Sequence, residues 1–133
     1  KDDQVNKLAD FCRRVINLGE LKHEKKVGVI YYVVEQLERI GDIYKKIALL
    51  AKENNSKLKK QDIEHFKEIN DLFISYRKMY YSFNLDSAED FGKSFDTLKH
   101  KITAKDTSFY SIYQDFLVEQ IFDMTGALLT LRL

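Results

Sequence analysis

Proline and tryptophan are absent from the 133-residue chain, and glycine occurs only five times. A β-rich domain with many tight turns needs more turn residues than this. Cysteine is nearly absent as well. Cys12 stands alone, so no disulfide forms within the chain, which fits a reducing, cytoplasmic compartment. An excess of one charge is also lacking: 22 basic and 21 acidic residues leave a net charge of +1. That balance gives no reason to expect nucleic acid or a membrane surface as partner. The longest apolar run, counting Gly28, is Val27 to Val34, far below the roughly 18 residues of a membrane-spanning helix. No basic-then-apolar leader opens the chain. Its first residue is lysine, from which a fragment or trimmed chain is expected.

What is present is helical periodicity in a globular composition, 44% hydrophobic and 32% charged, which argues against disorder. Five segments carry apolar residues at three- and four-residue steps. The first, about 2–17, has Val5, Leu8, Ala9, Cys12, Val15 and Ile16, with Gly19 as its stop. The second, about 23–53, carries Val27, Ile30, Tyr31, Val34, Leu37, Gly41, Tyr44, Ile47, Ala48 and Ala51. The third, about 61–83, presents Ile63, Phe66, Ile69, Phe73, Tyr76, Tyr80 and Phe83. Asp86 or Ser87 is the expected N-cap of the fourth, whose stripe is Ala88, Phe91, Phe95, Leu98 and Ile102. Asp106 or Thr107 is expected to cap the fifth, where Phe109, Ile112, Tyr113, Phe116, Leu117, Ile121, Met124, Leu128 and Leu131 face inward. Short connections predict antiparallel neighbours. The expected fold is all-α, a single bundle of about four long helices plus a shorter N-terminal one. Val34, Leu37, Phe73, Phe95, Leu98, Phe116 and Ile121 are expected in its core.

Nucleophilic chemistry finds little support. Cys12 lies on an apolar stripe with no histidine near it in sequence, as a packed and inert thiol would. There is no Gly-rich phosphate loop and no nucleophile elbow. Carboxylates are more suggestive. Glu35, Glu38 and Asp42 border the stripe of the second helix, and Asp115, Glu119 and Asp123 repeat the arrangement on the fifth. Like charges four residues apart repel. A bound hard cation would offset that, although on spacing alone a solvated helix edge is the commoner explanation of such pairs.

Around the first acids the chain reads Leu37-Glu38-Arg39-Ile40-Gly41-Asp42, followed by an apolar helical continuation. This stretch resembles the signature of the PhoU family of phosphate-transport regulators, whose domains also occur on sodium/phosphate cotransporters. The resemblance implies two three-helix repeats, with residues 1–53 ending the first and 60–133 forming the second, and the first helix of repeat one missing. It implies metal ligands at Asp2, Asn6, Glu38 and Asp42 in repeat one, and at Asp96, Glu119 and Asp123 in repeat two. The metal would be divalent or trivalent: Fe, Mn, Mg or Zn. Gly92 stands where an acid is expected, and Gln120 and Phe122 replace the Arg and Gly of the signature, so the second site should bind more weakly. The implied function is non-catalytic control of phosphate uptake, through contact with a phosphate transporter or its ATPase or membrane domain.

Gly41 has a reading of its own, as a notch for helix packing or for access of a metal. Asp62 and His65 are three apart, as are Glu20 and His23, a spacing seen in di-iron carboxylate bundles. Both pairs lie at a turn or a helix start, whereas such ligands belong mid-helix. A carboxylate-bridged enzyme and a metal-free interaction module are therefore the alternatives. His100 is expected to face solvent. The missing helix is expected to leave an apolar groove between helices one, two and five, covered by self-association or by a partner helix.

Overall fold

The computed structural model describes residues 2–17, 24–54, 57–103 and 108–132. Five helices account for nearly all of them: α1 (Asp2–Asn17), α2 (Glu24–Asn54), α3 (Lys60–Tyr81), α4 (Leu85–Thr103) and α5 (Phe109–Arg132). No strand occurs among the described residues, so the all-α bundle stands. None of these helices is long and apolar enough to cross a membrane.

The caps differ from expectation in their particulars. Asn84, not Asp86 or Ser87, caps α4, its Oδ1 accepting the Ser87 N–H at 2.8 Å. Ser108 does the same for α5, its Oγ accepting the Ser111 N–H at 3.1 Å. Asp106 and Thr107 lie outside the described residues, as do Gly19, Glu20 and His23.

The long helix α2 packs along α5, and this pair forms the centre of the bundle. The helices α3 and α4 pack on each other and on α5, closing a three-helix unit. By contrast, α1 packs, among the described residues, on α2 alone. The core follows that asymmetry. Ile69, Leu72, Tyr76 and Met79 of α3 meet Phe91, Phe95, Leu98 and Ile102 of α4, and Leu117, Val118, Ile121, Met124 and Leu128 of α5. From α2 come Val33, Ile40 and Ile47. The only buried apolar side chain of α1, among those described, is Ala9.

Two residues expected in the core are exposed: Leu37 at 37% and Phe116 at 50%. The reason is that α2 has two apolar faces, not one. Val34 and Ile47 of the expected stripe are buried, but so are Val33, Gln36 and Ile40, which lie beside it. The face carrying Val34, Leu37, Gly41 and Tyr44 turns instead towards α1 and an open groove. In α5 the fully buried Gln114 takes a seam position, which leaves Ile112 and Phe116 outside. Gln114 Nε2 donates to the Asp62 carbonyl at 3.0 Å, a tie between two helix starts that apolar periodicity does not register.

Candidate functional site

The acid triplets on α2 and α5 each lie beside a cation of the neighbouring antiparallel helix. Arg13 of α1 donates from Nε to Glu35 Oε1 at 2.6 Å, from Nη2 to Glu38 Oε2, and from Nη1 to Asp10 Oδ1 at 2.8 Å. On the other side of the bundle, Lys99 of α4 pairs with Glu119 and lies 3.6 Å from Asp115 Oδ1. All but Asp10 in these two clusters are half-buried. The hydrogen bond to Glu35 holds the Arg13 guanidinium above its ordinary pKa, against the opposing effect of burial. The repulsion that spacing predicts within each triplet is therefore relieved by a protein cation, once per hairpin.

The remaining expected ligands are dispersed. Asp42 and Asp96 are exposed. Asp123 is exposed too, at the rim of a cleft shared with Tyr31, Tyr32, Gln36 and Arg39. Asn6 is half-buried, and its Oδ1 has no hydrogen-bond partner among the described residues. The side chain of Asp2 lies outside the described residues. Among those residues, no group of three or more His, Cys, Asp or Glu side chains is placed to hold a metal ion. A metal at Glu38 would have to displace Arg13.

Gly41 is a packing notch. A Cβ built there would stand 3.2 Å from Val5 Cγ1, closer than ordinary van der Waals contact. On the other side of the bundle, Phe122 of α5 stacks on Phe95 of α4 with ring centroids 4.2 Å apart. One hairpin thus closes on a Val–Gly contact and the other on an aromatic pair.

The exposed face of the α1–α2 hairpin opens on a groove of about 370 Å3, lined by Val5, Leu8, Cys12, Leu37, Tyr44 and Phe73. Its far wall is α3, through Phe73, and not α5 as expected, because α5 lies against the other face of α2. Leu8 is 65% exposed and Tyr44 43%. Cys12 is a half-buried free thiol in this groove.

Sequence reasoning missed Arg13 and Lys99. Their signal was a basic residue on the helix preceding each acid triplet, at a height only the hairpin geometry fixes. It also set aside Asp62 and His65, which are both buried. Comparison with protein-family models, curated proteins and solved structures finds no match for this chain.

Proposed function

We propose that the chain is a non-catalytic, PhoU-like regulatory domain that controls a phosphate transporter by seating a helix of that partner in the groove. The groove itself carries the reading. An α1–α2 hairpin that leaves Leu8, Leu37 and Tyr44 open has the apolar floor that an amphipathic helix seeks. Within the same chain, α3 lies across the α4–α5 hairpin in just such a way. The transporter as partner rests on the resemblance of Leu37 to Asp42 to the family signature. In that signature the Glu38 position is a metal ligand, and here it is engaged by Arg13.

The test is phosphate uptake in cells carrying Leu8→Glu/Leu37→Glu in place of the wild type. Both side chains are exposed, so the folded state should survive, and helicity and thermal midpoint check this. Uptake that no longer responds to phosphate supply supports the reading. Unchanged control with a folded variant refutes it. Light scattering reports the other occupant: a wild-type dimer that the double variant dissolves would make the groove a contact between copies, against the transporter reading.

A further inference from the structure

On a different face of α2 from the apolar groove lies a second hollow, an open cleft of about 440 Å3 between α2 and α5. Tyr31, Tyr32, Glu35, Gln36 and Arg39 line it from α2, and Asp123 from α5. No residue lines both hollows. The volume falls in the range of about 300–1,000 Å3 usual for small-molecule sites.

Gln36 sets this cleft apart. The residue is only 3% exposed, and its Oε1 is buried with no hydrogen-bond partner among the described residues. A buried acceptor without a donor costs stability, and a donor brought by a ligand recovers that cost. Gln120, three residues before Asp123 and so on the same side of α5, has a second such oxygen. Water alone would satisfy these amides but not the charges around them.

Those charges decide what the donor carries. Glu35 is already matched, its Oε1 accepting from Arg13 Nε at 2.6 Å. Arg39 and Asp123 are exposed on opposite walls of the cleft, and neither has an ion pair among the described residues. One cation and one anion thus stay unmatched. A purely anionic ligand would be repelled by Asp123, and a purely cationic one by Arg39. A ligand carrying both charges meets both.

An ammonium has three N–H donors, enough for the Asp123 carboxylate and the Gln36 oxygen together. A carboxylate matches the fork of the Arg39 guanidinium. Gln36 and Arg39 are three residues apart on α2, which sets their Cβ atoms about 5–6 Å apart, so the two charges of the ligand must sit close together. In an α-amino acid they share one carbon. One turn earlier on α2, Tyr31 and Tyr32 are 37% and 40% exposed, and beyond them a Cβ added at Gly28 would meet nothing within 4 Å. That stretch offers a ligand side chain two partly open rings and free room, which suits an apolar or aromatic group.

We propose that the α2–α5 cleft binds a free α-amino acid with an apolar or aromatic side chain. Arg39 holds the carboxylate, Asp123 and Gln36 Oε1 accept from the ammonium, and the side chain lies along Tyr31 and Tyr32. The site shares no residue with the α1–α2 groove and does not depend on the transporter reading.

The experiment is an NMR titration of the whole chain at pH 7 with L-phenylalanine and L-leucine. Two controls each lack one charge: N-acetyl-L-phenylalanine has no ammonium, and phenethylamine no carboxylate. At least one amino acid should give saturable shifts, confined to the amides of residues 28–39 and 120–123 and to the Gln36 side-chain amide. Each control should bind about tenfold more weakly than L-phenylalanine or worse. Arg39 and Asp123 are exposed, so Arg39→Gln and Asp123→Asn should fold normally, with the thermal midpoint as check. Arg39→Gln should erase the preference for L-phenylalanine over phenethylamine, and Asp123→Asn the preference over the N-acetyl compound. A merely structural role would move neither preference. The proposal is overturned if neither amino acid gives saturable shifts, if either control binds as well as L-phenylalanine, or if both folded variants keep the wild-type preferences.

Discussion

The docking of α1 on α2 turns on the contact between Val5 and Gly41, and a double-mutant cycle measures it. Alanine in place of a mid-helix glycine gains about 1 kcal/mol from backbone entropy alone. Gly126 of α5 shows that gain undisturbed, since nothing lies within 4 Å of a Cβ added there. Gly126→Ala should therefore raise stability by about 1 kcal/mol, or the thermal midpoint by roughly 3–5 °C at this chain length. At Gly41 the same Cβ meets Val5 Cγ1 at 3.2 Å, and the neighbour must yield by a few tenths of an ångström. Valine in a helix is held to one rotamer, so relief has to come from movement of α1 as a body. That is cheaper than overpacking a closed core, which costs about 1–3 kcal/mol, because among the described residues α1 is packed on α2 alone. The two effects should nearly cancel, leaving Gly41→Ala within about 0.5 kcal/mol of wild type. In a Val5→Ala background the obstruction is gone, and Gly41→Ala should recover the full gain of about 1 kcal/mol. Urea and thermal unfolding followed by circular dichroism give all four corners. If Gly41→Ala stabilises as much as Gly126→Ala and shows no coupling to Val5, then α1 does not rest in that notch, and the groove it borders loses its wall.

Alkaline stability should turn on Tyr76, which is buried and donates its hydroxyl to the Met124 carbonyl at 3.1 Å. Burial, and secondarily Tyr80, push its pKa well above the ordinary 10.0. The unfolded chain then loses this proton first, so stability holds below pH 10 and falls as pH rises beyond it. Tyr76→Phe should cost about 1 kcal/mol at neutral pH and flatten part of the alkaline fall; Tyr44, also raised by burial, keeps some slope. Parallel losses in the two proteins above pH 10 would refute this. Because Arg13 already occupies Glu35 and Glu38, Mn2+ or Mg2+ should leave the wild-type melting midpoint where chelator leaves it. Arg13→Met should create a metal response at the freed acids. A wild-type midpoint that climbs with metal would show that the cation displaces Arg13.

The sequence by itself determined the helices. With no proline and few glycines, three- and four-residue apolar steps leave little else for these segments, and all five lie within a few residues of where periodicity places them. It also determined that two helices carry acids at one-turn spacing. Tertiary structure decided what those acids meet. Periodicity gives a direction around one helix axis, but not which neighbour lies in that direction, so Arg13 and Lys99 as partners were out of reach. The same limit explains α2, where two apolar faces overlap in sequence and Leu37 was assigned to the core although it borders the groove. It explains Asp62 and His65 as well. Their position at a helix start marked them as unsuited to a bundle centre. Only the convergence of three helix ends, from segments some 40 residues apart, makes them the walls of a cavity.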